Sequence, residues 1–283
     1  MANETTTSEI DDLMPTIIAE ATRKLVQTFD IEDLVRVKKQ TGPGKVVDFP
    51  YFPASTKAEA LAEGNDYTTN FPMTTNKGAA TISEVGKKFI LTDLAEYSSS
   101  EDIVDAISDY ARNAIAQKIE YDFISLFAGL TTNYVGTTNT DITLAVLEEA
   151  LYKLDSSSAP YPWFIVLSPK VWYDLKTAIH AASGAPSNVG EIYKDKLMDM
   201  YFVSDFEGVP IYISRQISNA SGSDDHICAA FSKEAFGFAY KWLMKIEKER
   251  DISLRATEFM ATALYGFCEI VDEYGVKITA DGV

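Results

Sequence analysis

The stretch that decides the fold begins Lys38-Lys39-Gln40-Thr41-Gly42-Pro43-Gly44-Lys45-Val46-Val47-Asp48-Phe49-Pro50-Tyr51-Phe52-Pro53. Two glycines around a proline make a turn. The apolar residues after it, Val46, Val47, Phe49, Tyr51 and Phe52, form a β-prone run broken by Pro50 and Pro53. Residues 54–70 are polar and turn-rich, with a bend at Gly64-Asn65-Asp66, and the chain returns through residues 80–91, which alternate as a strand does. The pattern predicts two strands joined by a long excursion, an extended β-hairpin with little core of its own. A compact domain rarely carries so long a poorly covered loop unless the loop has a job. An arm laid on a neighbouring chain would give it one.

Upstream, residues 15–29 read as a short amphipathic helix, with Ile17, Ile18, Ala21, Leu25 and Val26 on one face and Pro15 in the first turn. Downstream, Ser98-Ser99-Ser100-Glu101 has the form of a capping box. The helix it opens carries Ile103, Ile107, Ala111, Ile115, Ile119 and Phe123 at helical spacing and can run to Phe127 before Gly129. Its length of about 40 Å suits a spine.

From residue 131 to about 240 the pattern turns to ordinary α/β. Asp141 is the expected cap of a helix bearing Leu144, Leu147, Leu151 and Leu154. Trp163-Phe164-Ile165-Val166-Leu167 reads as a buried strand, and Ser168-Pro169 starts a helix with Val171, Trp172 and Leu175 inside. Residues 181–190 form a loop of small residues. Residues 209–213 and 227–231 are further strands, and residues 242–279 read as long strands. There is no internal repeat.

Composition excludes several classes. The 283 residues are 46% hydrophobic and 24% charged, which rules out disordered, collagen-like and coiled-coil chains. With 25 Lys and Arg against 42 Asp and Glu the formal net charge is −17, a field that opposes nucleic-acid binding. Cys228 and Cys268 stand in apolar settings and form no CxxC, so both are expected as reduced core thiols. The N-terminus lacks the basic and apolar regions of a signal peptide, and no apolar run is long enough for a membrane helix. A soluble protein made in the cytoplasm is expected.

Chemistry is sparse. His180 and His226 are the only histidines. The first ends a helix, and the second sits in Asp224-Asp225-His226 without a second ligand pair at zinc-site spacing. Ser168 follows a strand and precedes a helix, but its neighbours do not form G-x-S-x-G, and an N-cap role explains it. Gly42-Pro43-Gly44-Lys45 lacks the phosphate-loop frame. No catalytic residue, cofactor site or metal site is expected.

The order of parts carries the identification: arm helix, long two-stranded excursion, capped spine helix, α/β lobe, then long strands returning beside the spine. Together with Phe164-Ile165-Val166-Leu167-Ser168-Pro169-Lys170-Val171-Trp172 and Glu207-Gly208-Val209-Pro210-Ile211-Tyr212-Ile213-Ser214, this resembles the major capsid proteins of tailed bacteriophages. Their fold is shared with encapsulins and herpesvirus capsid floors. The resemblance implies an α+β chain with an N-terminal arm (1–45), an extended loop (46–92), a peripheral domain (93–135 and 240–283) and an axial α/β domain (136–239). It further implies a structural subunit that self-assembles into pentamers and hexamers of an icosahedral shell enclosing double-stranded DNA, located in the virion. Separate scaffolding, portal and decoration proteins would be its other partners, with no specific nucleic-acid binding and no membrane.

In that setting Phe49, Tyr51, Phe52 and Phe71 of the extended loop are the expected contacts with an adjacent subunit, which would supply the apolar cover they lack. Two departures from relatives stand out. The arm helix begins within about fifteen residues of Met1, leaving no room for a cleaved scaffolding region. Relatives that weld their shells join a lysine to an asparagine; here Lys57 and Lys77 lie in the loop, but no asparagine follows Asn219. Non-covalent assembly is expected. The alternatives are an encapsulin-type compartment shell and an α/β enzyme with an unrecognised site.

Overall fold

Two long strands organise the molecule: β9 (Phe236–Asp251) and β10 (Ala256–Glu269), numbered in chain order. They run antiparallel from Asp251 opposite Ala256 to Phe236 opposite Glu269. Their connection is a side-chain-supported turn, in which Asp251 Oδ1 accepts from the amides of Ser253 (2.8 Å) and Leu254 (3.2 Å). The computed structural model describes residues 30–53, 58, 60, 73–98, 103–182, 206–217 and 224–282. The expected arm helix at 15–29, Phe71, residues 183–190 of the expected loop, residues 99–101 of the capping box and the side chains of Ser98 and His180 lie outside the described residues, while residues 181–182, expected in that loop, end a helix.

The ribbon is widened into a four-stranded sheet, β1-β9-β10-β4, by β1 (Arg36–Lys39) parallel to β9 and β4 (Ser83–Thr92) antiparallel to β10. The spine helix α2 (Ile103–Ser125) packs on it. Ile107, Ala111, Ile115, Phe123 and Ile124 are buried, the spacing of one helix face. Tyr265 of β10 donates to Asp122 of the helix at 2.7 Å.

A second, five-stranded sheet has the order β5-β11-β8-β6-β7. Its members are β5 (Tyr134–Gly136), β6 (Trp163–Leu167), β7 (Ile211–Ile213), β8 (Asp225–Ser232) and β11 (Gly275–Asp281). All five residues of β6 are buried, as a continuous apolar run requires of an internal strand. Helix α3 (Leu144–Ser156) covers β5, β8 and β11 through Leu147, Leu151 and Leu154. Helix α4 (Pro169–Ala182) buries Val171, Trp172 and Leu175. Phe123 of the spine meets Phe127, Phe231 and Phe236 edge-on at centroid distances of 5.1, 5.6 and 5.6 Å, so one aromatic cluster joins spine, β8 and β9 in a continuous core.

Several sequence readings are corrected. The alternating run at 80–91 is two strands: β3 (Asn76–Thr81) pairs with β2 (Val46–Tyr51), and β4 pairs with β10. The switch falls at Ile82, whose amide donates to Lys45 O at 2.7 Å. The chain crosses β10 at Gly266, where a Cβ would stand 2.2 Å from Thr81 O; only glycine permits that approach. Asp141 does not cap α3, because the chain is still extended at Thr143 and the helix begins at Leu144. A short helix, α1 (Asp93–Ser98), precedes the spine; Thr92 Oγ1 accepts from Ala95 N at 3.3 Å and starts it. The last strand does not lie beside the spine: Val276, Ile278 and Ala280 are buried between β5 and β8.

Candidate assembly surface

The hairpin β2–β3 is anchored along its strands, and described residues just beyond them are exposed. Along β2, Val47 and Phe49 point inward and are buried, while Val46, Asp48 and Pro50 face out. Phe49 is fully buried among Val47, Ala80, Ile82, Ala239, Cys268 and Ile270 of its own chain. Lys38 Nζ lies 4.7 Å from the centre of its ring and donates to Asp48 O at 2.6 Å. Asp48 in turn pairs with Lys77 across the hairpin at 2.6 Å. The expectation that Phe49 lacks apolar cover within its own chain is therefore corrected: the ends of β9 and β10 supply it.

Tyr51 is half-buried at the edge of the same cluster. Past it the cover ends, with Phe52 62% exposed and, on the returning limb, Met73 79% exposed. Of the four residues expected to meet a neighbour, the structure thus places Phe49 in the core, Tyr51 at its margin and Phe52 in solvent, and Phe71 lies outside the described residues.

Sequence reasoning missed a second exposed apolar group, at the turn of the β9–β10 ribbon. Ile252 is 83% exposed and Leu254 is also exposed. Helix α1 brings Leu94 and Tyr97 to that end, and both are exposed. The helix is tied there by the Arg250–Asp93 ion pair, with Nη2 to Oδ2 at 2.6 Å, and by Asp93 N donating to Arg255 O at 3.0 Å. The available signal was a pair of bulky apolar residues in the turn Asp251-Ile252-Ser253-Leu254-Arg255, where neither can alternate into a sheet.

The residues weighed for chemistry are structural in their surroundings. Ser168 Oγ accepts from Val171 N at 3.2 Å, the expected cap of α4, and lies 2.6 Å from His226 Nδ1. Both residues are buried, and burial, then Lys170, lowers the histidine's pKa. Sequence reasoning did not bring the two together, because Ser168 follows β6 while His226 stands on β8, far along the chain. Cys228 and Cys268 are buried free thiols, pushed up to about 12 and about 11 by burial. Among the described residues no group of three or more His, Cys, Asp or Glu is placed to hold a metal ion, and no helix is long and apolar enough to cross a membrane.

No protein-family model matches the chain, and no curated protein sequence matches it. Solved structures do. A chain of Mycobacterium phage Che8 superposes with a TM-score of 0.70 at 17% identity, over 93% of this chain and 94% of that one. The capsid structure of cyanophage P-SCSP1u gives 0.69 at 18% identity, over 100% and 97%. The capsid of a native GTA particle gives 0.69 at 11% identity, over 99% and 100%. Such coverage in both directions leaves no segment of the architecture over, and the chain has the α+β fold of the tailed-phage major capsid proteins.

Proposed function

We propose that this chain is a structural major capsid protein, assembling into the pentamers and hexamers of an icosahedral shell around double-stranded DNA. The observation that carries the reading is the match of 99–100% of this chain to capsid chains that are themselves covered to 97–100%. Phe52 and Met73 agree with it, standing bare on the two limbs of a hairpin whose base is firmly held. Burying each against an adjacent subunit is worth about 1.5–3 kcal/mol. Any one contact is modest, and a shell is stable because each subunit makes several at once. In this reading residues 1–45 are the arm, 46–92 the extended loop, 93–135 with 240–283 the peripheral domain, and 136–239 the axial domain. Tyr51, Phe52 and Phe71 are the loop's contacts, and separate scaffolding, portal and decoration proteins are further partners in the virion.

The net charge of −17 fits a wall that does not trap packed DNA. Purified subunits should bind DNA weakly and with little dependence on salt; strong, salt-dependent binding would overturn that part. Assembly is tested by negative-stain imaging of the purified protein, where closed shells are expected. Phe52→Asp should abolish the shells while leaving the circular dichroism and unfolding of the subunit unchanged. A wild-type protein that stays monomeric under all assembly conditions overturns the proposal. Shells filled with an enzyme cargo instead of DNA would identify the encapsulin-type alternative.

A further inference from the structure

Glu120 stands on the spine helix and is 1% exposed. Its Oε1 accepts a hydrogen bond from Ser214 Oγ, and its Oε2 is buried with no hydrogen-bond partner among the described residues. An ionised carboxylate in such a place is costly, since each oxygen seeks donors or water. The neutral acid is the form this enclosure suits. Ser214 is itself held fast: it is fully buried just after β7, its amide donates to Leu167 O at 2.9 Å, and its Oγ accepts from Gln216 N at 3.0 Å. The pair therefore links α2 to the edge of the five-stranded sheet, at a point where one oxygen is left unsatisfied.

We propose that Glu120 is a protonation switch for this joint: as a neutral acid it holds the spine helix to Ser214, and as a carboxylate it loosens the helix from the β6–β7 edge. Burial raises its carboxyl to about 7, against the opposing pull of the Ser214 hydroxyl and the charge of Arg215. On the same helix Lys118 and Asp122 pair with each other, and Asp122 also accepts from Tyr265. Among the described residues Arg215, on the facing segment, is the charge that favours the ionised form, together with the Ser214 hydroxyl.

The sign follows. The closed joint binds the proton more tightly than the opened one, whose carboxyl titrates near its ordinary 4.5, so opening is favoured as pH rises between about 4.5 and 7 and levels off above. Hydrogen–deuterium exchange of the full-length protein, corrected for intrinsic rates, tests it. Protection of amides in residues 115–125 and 211–217 should fall by up to about tenfold per pH unit across that window. Glu120→Gln, which keeps the acceptor and cannot ionise, should remove the slope. Ser214→Ala, which removes a hydrogen bond favouring the carboxylate, should shift the midpoint to higher pH, whereas a merely structural role would lower protection equally at every pH. A flat wild-type profile, an unchanged slope in Glu120→Gln, or an unmoved midpoint in Ser214→Ala would overturn the proposal. The contact lies within one chain, so its failure and a failure to form shells are separate results.

Discussion

The ring of Phe49 on β2 lies so close to the backbone of Gly237 on β9 that a Cβ on that glycine would stand 3.0 Å from both Cδ2 and Cε2 of the phenylalanine. The strand that leads into the loop is thus rooted in the interior. Phe49→Ala should cost about 3–5 kcal/mol in denaturant unfolding of the subunit, the usual range for emptying a buried phenylalanine site. Phe52→Ala, only a few residues on but in solvent, should change subunit stability by no more than about 0.5 kcal/mol. Equal costs at the two positions would show that the anchor has been misplaced.

The two thiols make a chemical test of the core. With Cys228 pushed up to about 12 and Cys268 up to about 11 by burial, neither supplies thiolate at neutral pH. Ellman's reagent should titrate no thiol in the native protein and two after denaturation. Rapid native labelling at pH 8 would show that one of the strands opens readily.

Asp272 fastens the start of β11 to the segment after the spine. It accepts from the amides of Thr131 (3.1 Å) and Thr132 (2.9 Å) and from both hydroxyls. Burial raises its pKa, but these hydrogen bonds prevail and hold it below the ordinary 3.8. A depressed carboxylate gives its stability above the ordinary value and loses it as pH falls through the depressed one. Asp272→Asn should therefore destabilise by about 1 kcal/mol at neutral pH, and its stability curve should converge with that of the wild type in acid. Parallel curves down to pH 2 would contradict this.

Shells should be held by contacts alone. No asparagine follows Asn219, so β9, β10 and β11 offer no acceptor for a lysine of the loop. Denaturing electrophoresis of whole particles should give one band at the 31.3 kDa of the single chain. A ladder of multiples would mean a covalent weld of another chemistry.

Much of the architecture was legible because its signals are local. The spine shows its buried face at helical spacing, and β6 is an apolar run short enough to be a strand and bounded by a cap serine and a proline. The exposed end of the hairpin was legible too, since Phe52 follows a run that the next proline breaks. The role of Phe49 was not. Alternation marks it as facing the same way as Val47, but the partner surface comes from residues 237–270, far along the chain.

Sequence alone determined the spine helix, the buried strand β6 and the helix after it, and the acidity of the chain, because periodicity, caps and charge are properties of neighbours along the chain. Tertiary structure alone decided which sheet each strand joins: that residues 76–92 divide between two sheets, that β11 leaves the ribbon for the β5–β8 slot, and that Glu120 and Ser214 meet. The physical reason is that alternation fixes which face of a strand is apolar but not which strand lies beside it. That choice is made by distant contacts, and here by a glycine at 266 that lets one backbone pass against another.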